Sequence, residues 1–68
     1  MMKNLRRLRN ERGLTQAEIG ELLGVHGTAV GHWECGRTRP TIEHLAIMAR
    51  HFNVQIDWIA HDLATPDE

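Results

Sequence analysis

Four residues that tolerate a left-handed backbone, Gly13, Gly24, Gly36 and Asn53, each follow a segment with helical periodicity. Four such stops in so short a chain imply at least four helices, and each of them has to be short. Helices of two or three turns are marginal on their own in water, so their stability has to come from one shared core. Nothing covalent assists, because the single cysteine, Cys35, can neither close an internal disulfide nor build a zinc site by itself.

The first segment, over about 3–12, sets Leu5 and Leu8 on one face with Arg6, Arg7 and Arg9 around it. Thr15 followed three residues later by Glu18 is a capping-box pair, which predicts a second helix from Gln16 to the stop at Gly24, burying Ile19 and Leu23. Val25 and His26 connect it to a third helix over 27–35 whose apolar side is Val30 and Trp33. Residues 37–40 form a basic loop closed by Pro40. Thr41 caps a fourth helix carrying Ile42, Leu45, Met48, Ala49 and Phe52 at helical spacing. A last helix over about 56–61 packs Ile59 on the core. With no period-two alternation anywhere, the expected fold is all-α, a compact bundle of five short helices over 1–64, followed by a frayed acidic end at 65–68.

Sixty-eight residues suffice for one core and leave no room for a catalytic cleft with a separate substrate domain. An apolar share of 41% is too high for a disordered tail. No apolar stretch is long enough for a membrane span or a signal peptide, so the expected location is the cytoplasm, with no membrane partner. His26, His32, His44, His51 and His61 show no compact ligand spacing, which argues against a metal. Without paired carboxylates, a phosphate-cradling glycine loop or a base beside Cys35, no enzyme, cofactor or small-molecule ligand is expected.

Charge is informative only by position. The net charge is −1, yet residues 1–40 hold seven of the eight Lys and Arg against four acids, whereas residues 41–68 hold Arg50 against five. Only the N-terminal part is suited to a polyanion.

Within 16–35, Ile19, Gly20, Leu23, Gly24, Val25, Val30 and Trp33 stand at the spacing of a helix-turn-helix: a small residue where the helices cross, a glycine at the turn, and five apolar residues beneath both helices. With the flanking strings Arg12-Gly13-Leu14-Thr15-Gln16 and Trp33-Glu34-Cys35-Gly36-Arg37, the chain resembles, over about 5–59, the helix-turn-helix domains of the lambdoid phage repressor and Cro type, the XRE family.

The resemblance implies roles. Gln16 would hold a DNA phosphate at the start of the second helix, a reading favoured over that of a simple capping side chain. Bases would be read in the major groove from the solvent face of the third helix, here Gly27, Thr28, Gly31 and His32, with His26 at its cap. Two glycines there admit either a very close approach to the groove floor or recognition by DNA shape with few direct contacts. Arg37, Thr38 and Arg39 would grip the backbone, with Arg6 a further phosphate candidate. Arg9 and Glu34 match a partly buried ion pair of the family. Ile47 and Trp58, apolar where relatives are polar, are candidates for a two-fold dimer surface or for core packing. The implied function is a sequence-specific transcription regulator, a repressor bound as a homodimer to a palindromic double-stranded DNA operator. An antitoxin-like protein-interaction module with secondary DNA binding is the alternative.

Overall fold

The protein was analysed as a computed structural model that describes residues 2–61. Five helices follow one another: α1 (Lys3–Glu11), α2 (Gln16–Leu23), α3 (Gly27–Cys35), α4 (Ile42–Phe52) and α5 (Ile56–Ile59). The acidic end expected at 65–68 lies outside the described residues.

The elements begin and stop for the reasons legible in the sequence. At α2 the Thr15 hydroxyl accepts from the Glu18 amide at 3.1 Å while Glu18 Oε1 accepts from the Thr15 amide at 2.8 Å, so two otherwise unpaired donors are satisfied reciprocally. At α4 Thr41 does the same with His44, whose Nδ1 stands in for the usual carboxylate. Gly13, Gly24, Gly36 and Asn53, the four anticipated stops, are the described residues with positive φ.

Each helix is too short to persist alone, and all five contribute to one core. Leu5 and Leu8 of α1, Ile19 and Leu23 of α2, Val30 and Trp33 of α3, Leu45, Met48 and Phe52 of α4, and Ile59 of α5 are buried together. Burying a side chain of this size contributes about 1.5–3 kcal/mol, which offsets the ordering of a chain this short. Met2, ahead of the first helix, is also fully buried and was not anticipated.

Ile42 corrects the sequence reading. Although it falls in register with Leu45 and Ala49, it is 78% exposed. It is the first residue of α4, and a helical side chain leans toward the N-terminus. Ile42 therefore overhangs the end of the helix beside the exposed loop instead of lying on the core.

Three polar ties orient α1. Arg9 reaches α3, as described below. The Arg12 guanidinium donates to the Phe52 carbonyl at 3.1 Å and lies over the Phe52 ring, 5.3 Å from its centroid, so a cation closes the C-terminal end of α4. Asn4 donates to the Trp58 carbonyl at 2.7 Å, fixing α5 on α1. No described helix is long and apolar enough to cross a membrane.

Candidate nucleic-acid interface

α2 and α3 pack closely against each other, and two missing side chains make this possible. A Cβ at Gly20 would stand 2.5 Å from the Val25 carbonyl oxygen and 3.0 Å from the Gly27 nitrogen. Gly20 thus serves the connecting turn itself, which folds back on α2 and is tied by the Val25 amide donating to the Gly20 carbonyl at 2.8 Å. A Cβ at Gly27 would lie 2.8 Å from the Ala17 backbone. The backbone of α2 is by itself a sufficient reason for a glycine at 27.

This packing sets the start of α2 against α3, where Gln16 reaches Glu34, and the loop after α3 returns to it through Arg37 and His32. Thr28 and His26 are exposed, Gly31 and His32 are half-buried, and Arg37, Thr38 and Arg39 are exposed. His32 and Arg37, anticipated for different tasks, touch each other: Arg37 Nη1 lies 3.4 Å from His32 Nε2. A guanidinium can only donate, so the ring nitrogen is the acceptor in this contact. The backbone holds the pair together as well, with the Arg37 amide donating to the His32 carbonyl at 2.9 Å around Gly36.

Beneath the surface sits one carboxylate. Glu34 is buried, and an uncompensated charge there would be strongly unfavourable. Arg9 meets it with two parallel hydrogen bonds, Nε to Oε2 at 2.8 Å and Nη2 to Oε1 at 3.2 Å, and gives a third to the Leu14 carbonyl at 3.0 Å. Hydrogen bonding to Glu34 raises the Arg9 guanidinium above its ordinary value; burial opposes the shift and the attraction of Glu34 adds to it. The stabilisation is therefore complete below the ordinary guanidinium range and is lost only as pH climbs through the raised value.

Glu34 has two further neighbours that sequence reasoning did not connect to it. Gln16 Nε2 donates to Oε1 at 3.2 Å, and Arg6 Nε stands 4.0 Å from the same oxygen with its side chain mostly exposed. Gln16 and Arg6, anticipated as separate phosphate contacts from α2 and α1, thus converge on one atom. Eighteen positions separate Gln16 from Glu34, beyond what helical spacing can link. The Gln16 amide rests against Gly31, where a Cβ would be 3.2 Å from both Nε2 and Oε1.

Other anticipated residues stand apart. Ile47 and Trp58 are 42% and 38% exposed. Ile47 lines a shallow groove on α4 with Glu43, Ala46, Arg50 and His51. Cys35 is exposed and its thiol donates to the His32 carbonyl of its own helix. Among the described residues, no three His, Cys, Asp or Glu gather as a metal site would require.

A family model for helix-turn-helix proteins matches residues 5–59. The chain is 38% identical over 55 residues to the HTH-type transcriptional activator BcrR of Enterococcus faecalis, a match covering 81% of this chain and 27% of that protein. It is 31% identical over 65 residues to the uncharacterized HTH-type transcriptional regulator YobD of Bacillus subtilis (strain 168), covering 96% of this chain and 58% of that one. Among solved structures, a transcriptional regulator from Listeria innocua superposes with a TM-score of 0.81 at 36% identity, over 97% of this chain and 59% of that chain. The P22 c2 repressor protein, in complex with a synthetic operator, superposes with a TM-score of 0.77 at 26% identity, over 84% of this chain and 86% of that one. The chain thus spans about a quarter to three fifths of the length of the two named sequence relatives.

Proposed function

The chain belongs to the helix-turn-helix family, and from that premise we propose that it is a sequence-specific transcription regulator that docks α3 in the major groove of double-stranded DNA. The observation that carries this reading is the set of contacts gathered on α3: Gln16 and Arg6 meet at Glu34, Gln16 rests beside Gly31, and His32 touches Arg37 of the following loop, with Thr28 and Arg39 exposed. Donors gathered around a helix in this way suit the phosphate backbones that flank a groove. Between them Thr28, His32 and the cap residue His26 reach base edges, and the small side-chain inventory shifts part of the recognition to DNA shape. Thr38 lies with the two arginines on the backbone-gripping loop.

The regulator acts as a homodimer on a palindromic operator and represses by occupancy. Exposure of Ile47 and Trp58 supports a two-fold contact on the later helices. Glu43 and Arg50 flank Ile47 with opposite charges, so two α4 helices packed antiparallel would set each acid against the partner's base. The same exposed side chains, with Ile42 and Ile56, favour a second reading in which another protein is the main partner.

Selection of bound duplexes from a random pool, followed by a salt titration, separates the two. Enriched half-sites about one helical turn apart, with affinity falling steeply as salt rises, are the result expected of the regulator. Weak binding with no enriched sequence would favour the interaction module. Sedimentation of Ile47→Glu and Trp58→Ala tests the dimer, which fails as a proposal if the parent chain is monomeric on its operator.

A further inference from the structure

We infer that Gly31 and Glu34 are positioning residues for Gln16, an inference that rests on the reading of Gln16 as a phosphate contact. Three geometric facts carry it. The Gln16 side chain does not extend freely from the start of α2; it lies across α3, where its nitrogen reaches Glu34 Oε1 at 3.2 Å. The space it lies in exists because residue 31 has no side chain, since a Cβ there would press on both the nitrogen and the oxygen of the amide at 3.2 Å. Finally, the acceptor is 3% exposed and already bound by two bonds from Arg9, so it cannot swing out to follow a mobile glutamine.

The chemistry of the two groups then fixes the orientation of the amide. A carboxylate accepts and cannot donate, so it selects the nitrogen end of Gln16 and repels the oxygen end. That nitrogen carries two hydrogens, and Glu34 takes one. The other remains for an anion at the protein surface, where the mostly exposed guanidinium of Arg6, 4.0 Å from the same carboxylate oxygen, supplies the positive charge. Glu34 is balanced by Arg9, which leaves Arg6 as excess positive charge beside the amide. With the carboxylate removed or the glutamine displaced, the amide is free to turn its oxygen outward, the wrong end for a phosphate. Gly31 thus contributes to the grip on the backbone, and its conformational cost within α3 is the condition for that grip.

A double-mutant cycle on Gly31→Ala and Gln16→Ala, read as affinity for the best duplex selected from a random pool, tests the inference. Gln16→Ala should weaken binding about ten-fold or more, the effect of losing one hydrogen bond to a charged group. Gly31→Ala should raise the thermal midpoint by a few degrees, because Ala is the better helix former and only the end of a flexible side chain has to yield, and yet weaken binding several-fold. In the Gln16→Ala background Gly31→Ala should have no further effect on affinity. Without DNA, the two side-chain amide protons of Gln16 should give well-separated resonances in the parent, one proton being bonded to Glu34, and the separation should shrink in Gly31→Ala.

Equal weakening by Gly31→Ala with and without Gln16 would overturn the inference, since the glycine would then serve the approach to the bases. So would unchanged affinity, or unshifted Gln16 resonances, in Gly31→Ala. A parent chain that binds its selected duplex undiminished by Gln16→Ala removes the phosphate contact and the inference with it, while a parent that binds no duplex overturns the proposed function itself.

Discussion

The two faces of α3 are made in opposite ways. Its inner face is dense: Val30, Trp33 and Glu34 are buried, touch several helices and leave no polar atom unsatisfied among the described residues. Its outer face is sparse, with Gly27 and Gly31 adjoining α2 and few side chains beyond Thr28 and His32 for the proposed reading to present to a groove. One helix thus combines a tightly determined seat with a lightly furnished reading edge. On the proposed function, the angle at which this domain would meet DNA is fixed by packing, while the choice of sequence would fall to very few atoms.

The contrast is broken most directly from the inside. Glu34→Ala should destabilise the fold by about 3–5 kcal/mol in chemical denaturation, because Arg9 is left partly buried without its counter-ion. The double variant Arg9→Met, Glu34→Leu should recover most of that loss; failure to recover would mean that geometry supplied by the pair, and not the stranded charge, is what matters. Gly20→Ala comes next. Its new methyl would meet a backbone carbonyl at 2.5 Å, a contact only a backbone shift can relieve, with an expected loss of about 1–3 kcal/mol. Unchanged stability there would show that the turn adjusts and that the inner face is less rigid than its packing implies.

The outer face should answer differently. His32→Ala is expected to leave the unfolding free energy within about 0.5 kcal/mol of the parent while relaxing preference at one base pair by about 1–3 kcal/mol, measured by competition between selected and single-mismatch duplexes. The smallest effect belongs to the loop: Arg39→Gln should weaken binding to all duplexes alike and lower the slope of affinity against salt by about one counterion. If Arg39→Gln instead altered the preferred sequence, the loop would have to be counted with the reading edge.

Much of the scaffold was legible because its signals are local. The Thr15–Glu18 capping box, the four left-handed stops and the i, i+4 pair Ile19 and Leu23 each depend on residues within one or two turns. The Arg9–Glu34 pair came from the family resemblance, and its geometry agrees. What sequence could not supply lies at the helix ends and between distant segments. Ile42 kept perfect register and still left the core, since periodicity does not say where a helix overhangs its neighbours. Arg12 closing the end of α4, and Gln16 sharing the carboxylate of Glu34, join positions 40 and 18 residues apart, for which no local pattern exists. Gly27 and Gly31 stood out as departures, but what a side chain at either position would meet, the neighbouring helix α2, is something the sequence alone does not locate.

The contacts of Glu34 also bear on how long the assembled state lasts. α2 and α3 are consecutive and their turn closes over a few residues, so they are able to pair early, whereas the bonds from Arg9 span 25 positions and wait for α1 to arrive. A link absent from the transition state changes the rate of unfolding and scarcely that of folding. Glu34 would then act as a latch whose release sets the lifetime of the native chain, and a weakened latch would be read in faster unfolding, with the speed of refolding unchanged.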